Sequence, residues 1–311
     1  MLGRPEFAAC VLIVAAFVIG AVESPYFLDA RYLLDSSTLY AETALIAIGM
    51  TFVIVSGNID LSVGGIMAMS ACLTAKLLAS GMPAWEGCSI ALAVAGAMGW
   101  FNGLMVARLR LNSVVVTLGT MAAYRGLAQV MMGSQSVQLP ASFVGIDEAY
   151  VFGSPVPWEL AGWVGLAVCG GVVLHRSVFG RGVFAVGSSE AATRYSGLRV
   201  ERIKAWCFVI SGLMAGLAGL AIDSRLGVAR YDHGVGVELD AITAVVLGGA
   251  SIYGGRGTMA GTVLALVLLA LIRTGMGVAN LEAQYQLAAV GGLLVVAVVF
   301  SQVSARAAEA K

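Results

Sequence analysis

Few polar side chains interrupt the long apolar runs of this sequence, and those that do are the candidates for chemistry. Asn58 and Asp60 follow one run, Arg125 lies inside another, and Thr117 lies two turns before it. An ionisable side chain near hydrocarbon is a functional-site hypothesis by default. Asp60 could contact a polar solute, although capping the positive start of the next helix is the favoured interpretation. Arg125 could pair with a carboxylate, line a pathway or reach the membrane surface. Thr117 could line a pathway or bond its own helix.

The most basic stretch of the chain is residues 176–204, which read RSVFGRGVFAVGSSEAATRYSGLRVERIK. A serine before helix-forming residues is typical of a helix start, and a glycine about two turns later is typical of a helix end. The residues that form this pattern are Ser188, Ser189, Glu190, Ala191, Ala192 and Gly197. The pattern predicts a short helix on the membrane surface. A basic loop with one helical turn is an equal alternative from the residues alone.

Two glycine pairs flank residues 251–253, and they are a candidate for a moving part. The pairs are Gly248 with Gly249, and Gly254 with Gly255. Glycine absorbs large backbone changes at hinges, so a gating loop is one interpretation. A simple tight turn is the other.

Signatures of enzymes are missing from the sequence. The dipeptide Gly-Lys never occurs, so the chain has no P-loop for ATP, and HExxH is absent. The two histidines, His175 and His233, are predicted to lie on opposite sides of the membrane. The five cysteines fall inside apolar runs without metal-ligand spacing, which predicts buried thiols. We therefore expect no catalytic residue, no metal site and no cofactor bound by this chain.

The composition identifies the class of protein. Of the 311 residues, 59% are apolar and 12% are charged, against about 25% charged in an ordinary soluble domain. The mean hydropathy is +0.91. These values exclude a soluble globular chain and a disordered one. The charges balance, with 18 basic and 18 acidic residues, which argues against a nucleic-acid partner.

The apolar runs predict an all-α polytopic membrane protein with about ten transmembrane helices in one domain, residues 1–311. A spanning barrel would show alternating ten-residue segments, and none is present. The predicted segments are 7–22, 39–56, 61–80, 86–107, 113–132, 159–175, 204–222, 238–252, 258–276 and 284–301. With the N-terminus in the cytoplasm, most Lys and Arg residues fall on the cytoplasmic side, so both termini and the loop 176–204 are predicted there.

Segment 238–252 is the weakest prediction. Glu238 and Asp240 stand at its start, and fifteen residues reach only about 22 Å at 1.5 Å per residue, less than a hydrocarbon core of about 30 Å. The segment could span the membrane or be a re-entrant element inside a protein-lined cavity. A re-entrant element would reverse the last two spans.

Four motifs carry a family resemblance. Glu190-Ala191-Ala192 with Gly197 resembles the EAA…G motif of permease subunits of ATP-binding cassette (ABC) importers. Residues 56–65, SGNIDLSVGG, look like the SGGIDLSVG signature of permeases for ribose, xylose, arabinose and related sugars. Residues 112–126 and 238–258 resemble two further stretches of that family. Asn58 stands where glycine is commoner in that family, and Ser113 stands where proline or alkyl residues are commoner. Residues 250–280 look most like rhamnose and autoinducer-2 permeases.

The resemblance implies a function and a set of partners. It implies that the loop 176–204 forms a coupling helix against a separate ATPase subunit, which would hold the ATP and Mg²⁺. It also implies a periplasmic sugar-binding protein, which Arg225 and Arg230 could meet unless they are plain interfacial arginines. A second permease subunit, identical or paralogous, and membrane lipid complete the expected partners. The implied location is the bacterial inner membrane.

Two other functions stay open at this point. An ion-coupled secondary transporter would normally carry intramembrane acidic residues and inverted halves, and neither is clear in the sequence. A structural or assembly protein of the membrane would transport nothing. Substituting Glu190 or Gly197 should abolish ATP-driven uptake only if the importer interpretation is right.

Overall fold

The computed structural model describes residues 5–23, 25–133, 135–145, 149–282 and 284–293, with positions 295 and 299. Helices dominate this part of the chain, and residues 284–293 are helical as well. The numbered helices are α1 Pro5–Glu23, α2 Ala30–Ser36, α3 Ala41–Val55, α4 Val63–Ala79, α5 Ala84–Arg108, α6 Ser113–Met132, α7 Trp158–Arg176, α8 Val178–Ser188, α9 Glu190–Tyr195, α10 Val200–Leu226, α11 Val237–Leu247 and α12 Met259–Val278. The strands are β1 Val137–Gln138 and β2 Val228–Ala229.

Six helical segments of the described chain are long and apolar enough to cross a membrane. They are Ala30–Val55, Ala84–Arg108, Ser113–Met132, Trp158–Arg176, Val200–Leu226 and Met259–Val278. Shorter apolar helices add to them, including α4 and α8. Each predicted segment overlaps a helix, although segment 284–301 and both chain termini lie partly outside the described residues.

Helix α10 occupies the centre of the bundle, where it packs against α3, α4 and α5. Small residues allow the close approach of α5 and α10. A Cβ atom added at Gly212 would lie 2.5 Å from the carbonyl oxygen of Ala95 and 3.0 Å from the Cα atom of Gly99. Such distances leave no room for a side chain, so glycine here allows the backbones to touch.

The bundle has two ends, which we name by what lies there. At the α9 end, α3, α7 and α11 finish while α10 and α12 begin; the Gly255 N–H donates to the Val55 carbonyl there at 2.9 Å. At the sheet end, β1 and β2 pair antiparallel, with Val137 opposite Ala229. The strands join the loop after α6 to the chain that follows α10.

Helices α4 and α11 begin part of the way along the bundle. A Cβ atom at Gly65 would lie 2.7 Å from the carbonyl oxygen of Met121, which is the ninth of the twenty residues of α6. A Cβ atom at Gly64 would lie 3.0 Å from the carbonyl oxygen of Gly234, just before α11. Helix α11 has eleven residues, about 16 Å of helix. The weak segment 238–252 is therefore helical only as far as Leu247, and residues 230–236 reach it from the sheet end without helix.

No helix of the described residues covers the outer faces of α6 and α7. Val130 on α6 and Val168 on α7 are exposed. Cys72 and Cys207 are buried, but Cys169 on α7 is exposed. The expectation of a buried thiol is therefore wrong for Cys169, because an apolar run does not say which of its faces meets the protein interior.

Candidate functional site

The predicted short helix is present as α9, and both of its ends are capped. The Ser189 hydroxyl accepts from the backbone N–H of Ala192 at 3.2 Å. Gly197 has a φ of +84°, and its N–H donates to the Arg194 carbonyl at 3.1 Å. Left-handed backbone costs glycine little, so Gly197 lets the chain turn away from α9. The helix ends at Tyr195, whose side chain is exposed.

Glu190 ties α9 to the first turns of α10. Its carboxylate accepts from the Lys204 Nζ atom at 2.6 Å and from Arg194 at 3.2 Å. The hydrogen bond from Lys204 lowers the pKa of Glu190 below its ordinary value, so the side chain is ionised at neutral pH. Arg194 also pairs with Glu201. The charge of Glu190 is thus paired with cations of the same chain. The exposed surface of α9 includes Ala191 and Tyr195.

Helix α8 was not predicted, yet it directly precedes α9 and packs against it. Its N-cap Ser177 accepts from the N–H of Gly180 at 2.9 Å. At its other end, Gly187 packs against backbone rather than side chains. A Cβ atom added at Gly187 would overlap the Val55 carbonyl and the N–H of Gly255, which bond each other.

Four glycines meet where α8 contacts two loops. A Cβ atom added at Gly254 would lie 2.7 Å from the Gly57 Cα atom and 2.9 Å from the Gly187 Cα atom. Gly57 belongs to the α3–α4 loop, and Gly254 with Gly255 belongs to the α11–α12 loop. We call Gly57, Gly187, Gly254 and Gly255 the glycine contact. It joins the element that bears α9 to the loops before α4 and after α11.

Gly248 and Gly249 lie at the end of α11. A Cβ atom at Gly248 would lie 2.6 Å from the carbonyl oxygen of Gly261, so α11 and α12 touch there. Gly249 has a φ of +90°. These positions form a close helix contact followed by a turn.

Asn58 completes the end of α3. Its backbone N–H donates to the Val53 carbonyl at 3.1 Å, while the N–H of Gly57 donates to Ile54 at 2.9 Å. This pair of bonds is the Schellman motif. The Asn58 amide donates to the Ser56 carbonyl and hydroxyl, both at 3.1 Å. The Asn58 side chain is therefore buried and bonded locally.

Asp60 is fully buried at the start of α4. One carboxylate oxygen accepts from the backbone N–H of Ser62 at 3.0 Å and from its hydroxyl at 2.6 Å. The other oxygen accepts from the Ser211 hydroxyl at 2.8 Å. The Asn102 amide donates to Ser62 at 2.7 Å, and Tyr124 donates to Asn102 at 3.2 Å. This network joins α4, α5, α6 and α10.

Thr117 is buried beside this network. Its hydroxyl donates to the Ser113 carbonyl of its own helix at 2.8 Å. Ile59 of the α3–α4 loop accepts a longer contact of 3.4 Å. The shorter bond is the ordinary one for threonine in a helix.

Arg125 lies where α4 and α11 begin. Its Nη2 atom donates to the Gly234 carbonyl at 3.4 Å. A Cβ atom at Gly64 would lie 3.0 Å from this Nη2 atom and 2.7 Å from Oε2 of Glu238. Oε2 of Glu238, Nη1 of Arg125 and Nδ1 of His233 are buried, and none of them has a hydrogen-bond partner among the described residues.

The two arginines at the sheet end differ in exposure. Arg225 forms an ion pair with Glu42, with 2.5 Å between Nη2 and Oε1, and only 16% of its side chain is exposed. Arg230 pairs with Asp232 at 2.6 Å, and 54% of its side chain is exposed. Arg225 thus joins α10 to α3, whereas Arg230 keeps surface that a partner could reach.

Sequence reasoning assigned no role to Glu238, Gly64 or Gly187. Glu238 had one visible signal, since a carboxylate stood at the start of a span that was too short. The glycines had none, because forty glycines are spread along the chain and only packing distinguishes those that touch another backbone.

Comparison with known proteins gives a consistent result. The model of the family described as "Branched-chain amino acid transport system / permease component" matches residues 32–298. The ribose import permease protein of Haemophilus influenzae is 32% identical, covering 96% of this chain and 92% of that protein. The D-allose transport system permease protein of Escherichia coli is 35% identical, over 94% and 89%. The autoinducer 2 import system permease protein of Photorhabdus laumondii is 31% identical, over 96% and 91%. No solved structure matches the chain.

Proposed function

The chain belongs to the family of branched-chain amino acid transport system permease components, a multi-pass protein of the inner membrane, and from this premise we propose that it is the permease subunit of an ABC importer for a sugar or sugar-like solute. The observation that carries the proposal is α9, a capped helix held to α10 by ion pairs, with an exposed face. The names of the ribose, D-allose and autoinducer 2 relatives favour a sugar over an amino acid.

The proposal assigns a partner to each end of the bundle. A separate ATPase subunit binds α9 and holds the ATP and Mg²⁺, so this chain binds no cofactor and catalyses no reaction. A periplasmic sugar-binding protein binds the sheet end. A second permease subunit, identical or paralogous, lies beside this one, and lipid covers the remaining apolar faces. Transport then passes between the two permeases.

The proposed topology keeps ten crossings in a single domain, residues 1–311, with both termini and the α9 end in the cytoplasm. Segment 230–247 crosses as a non-helical stretch followed by α11. Such backbone is tolerated at membrane depth where it is buried in protein or lines a cavity. The directions of the helices support this topology, because α10 begins and α11 ends at the α9 end of the bundle.

The glycine contact supplies a mechanical link for this function. Movement of α8 and α9 on ATP binding would act on Gly57 before α4 and on Gly254 after α11. Helices α4 and α11 would then shift together, because backbone packed on backbone does not yield as a flexible side chain does. This coupling alternates access to the path between the subunits.

Replacing Tyr195 with arginine should abolish coupling to the ATPase. Tyr195 is 93% exposed, and exposed aromatic side chains at the centre of an interface carry much of its binding energy. We expect a loss of about tenfold or more in co-purification with the ATPase and in ATP-driven sugar uptake. The measurement is both quantities in reconstituted proteoliposomes.

Phe152→Arg is the matched control for Tyr195→Arg. Phe152 is an equally exposed aromatic residue, 94% exposed, in the loop between β1 and α7. It should leave ATPase binding intact. Normal uptake by the Tyr195 variant would show that α9 is not part of the interface with the ATPase. Uptake driven by an ion gradient without any ATPase would show that the protein is a secondary transporter and not part of an ABC importer.

Replacing Arg230 with alanine should weaken the response to the sugar-binding protein by about two- to fivefold, the effect typical of a charge at the rim of an interface. Receptor-stimulated ATP hydrolysis, measured at increasing receptor concentration and at two salt concentrations, reports the change. Arg31→Ala removes another exposed arginine and is the control. If the response of the Arg230 variant to the receptor is unchanged, the receptor binds at another part of the surface.

A further inference from the structure

The starts of α4 and α11 meet in the interior of the bundle rather than at either end. Gly65 of α4 packs on Met121, near the middle of α6. Ser211, which bonds Asp60 beside the start of α4, is the twelfth of the twenty-seven residues of α10. Transporters with interrupted helices commonly bind their solute at such a place, because helix starts and non-helical backbone offer free polar groups there.

This junction holds polar atoms that the described part of the chain does not satisfy. Within that part, Nη1 of Arg125 and Oε2 of Glu238 are buried without a hydrogen-bond partner. Nδ1 of His233, one residue before Gly234, is in the same condition. A buried polar atom without a partner is costly, so each one requires an explanation. A transported solute that supplies the missing hydrogen bonds is a direct explanation.

Gly64 lets the start of α4 pack closely against the two charged groups, because it has no side chain to displace them. Its missing side chain would point at Oε2 of Glu238 and Nη2 of Arg125, at 2.7 Å and 3.0 Å. Exposed Val235 and Leu239 flank the same stretch of chain. The junction therefore lies close to a face of α11 that no helix of the described chain covers, where a second subunit would face it.

The chemistry of the junction selects a class of solute. Arg125 supplies only donors, the Glu238 carboxylate supplies only acceptors, and imidazole can supply either. Opposite charges side by side give no strong preference for an anion or a cation. Hydroxyl groups, which donate and accept at once, match this set.

We propose that Arg125 and Glu238, packed against Gly64, form a subsite for the hydroxyl groups of a neutral sugar during its passage. The inference rests on the proposed function, and it adds where in the path the solute is held. His233 borders the subsite from the loop before α11.

Two variants test the subsite from different sides. Gly64→Ala adds one methyl group that would displace the ends of the Arg125 and Glu238 side chains, and Glu238→Gln removes the negative charge at nearly constant size. Gly126→Ala is the matched control, because it adds the same methyl group beside Arg125 on α6 with nothing within 4 Å of the new atom. The proteins are reconstituted with the ATPase and the receptor in proteoliposomes. Uptake of radiolabelled D-ribose and D-allose and receptor-stimulated ATP hydrolysis are then measured together.

Both variants should lose about tenfold of their sugar uptake while hydrolysis stays within about twofold of wild type, so more ATP is used per sugar moved. Uptake at the wild-type rate in both variants would overturn the subsite. A parallel fall of uptake and hydrolysis would also overturn it, since a merely structural role predicts that result. Failure of the wild-type protein to move either sugar, with hydrolysis unresponsive to the receptor, would contradict the proposed function itself.

Discussion

Gly187→Ala should disconnect ATP hydrolysis from sugar uptake. The added methyl group would overlap the Val55 carbonyl and the N–H of Gly255, two backbone groups that bond each other. Neither can rotate away as a side chain does, so α8 must move off the α3–α4 and α11–α12 loops. The glycine contact would open, and motion of α9 would no longer reach the half-helices α4 and α11.

We expect uptake of labelled sugar to fall about tenfold or more, with basal hydrolysis by the assembled ATPase retained and its stimulation by receptor lost. Overpacking of this kind costs about 1–3 kcal/mol, which is enough to displace a contact without unfolding the bundle. The measurement compares uptake with basal and receptor-stimulated hydrolysis in the same proteoliposomes.

Gly182→Ala is the control on the same helix. Its new methyl group would meet the Cδ1 atom of Ile203 at 2.9 Å, the flexible end of a side chain. This variant should transport nearly as wild type does. Equal activity of the Gly187 and Gly182 variants would show that the glycine contact has no part in coupling.

Asp60→Ala should destabilise the protein by about 2–4 kcal/mol. The carboxylate accepts from the Ser62 N–H, the Ser62 hydroxyl and the Ser211 hydroxyl, all buried. Each buried donor left without an acceptor costs about 1–3 kcal/mol, although a hydroxyl can turn to another acceptor. Asp60→Asn should cost less, because its amide oxygen can still accept from the Ser62 N–H while its NH₂ group faces Ser211.

The buried thiols report this unfolding. Cys72 and Cys207 are buried and should react with a fluorogenic maleimide only when the bundle opens, whereas exposed Cys169 should react at once. The thermal midpoint is therefore measured in detergent after Cys169 and the two remaining cysteines are replaced by serine. The order expected for the midpoints is wild type, then Asp60→Asn, then Asp60→Ala. Identical midpoints would show that the network around Asp60 carries no stability.

Local signals made much of the fold predictable. The predicted segments fall on helices because a run of apolar residues reports its own hydropathy, whatever surrounds it. Helix α9 was predictable for the same reason, since Ser189 and Gly197 act on atoms within a few residues of themselves. Helix α8 escaped prediction because glycines and an arginine interrupt its apolar pattern, and packing against α7 and α10 stabilises it instead.

The candidate residues show a different balance. Asp60 and Arg125 stood out because charge inside an apolar run is visible in one dimension. Their partners were not visible, since Ser211 and Gly234 belong to distant parts of the chain. Arg225 looked like a surface arginine by its place in the sequence, and its ion pair with Glu42 buries most of it.

The sequence by itself determined that this is a helical membrane protein and where most of its helices run, and it offered α9 as one of two interpretations, because hydropathy, capping and turns depend on neighbouring residues. Only the tertiary structure decided that α4 and α11 begin inside the bundle, that Arg125 and Glu238 pack against Gly64, and that glycines from three separate segments touch. Those facts depend on which backbones approach each other, and a linear sequence does not record that distance.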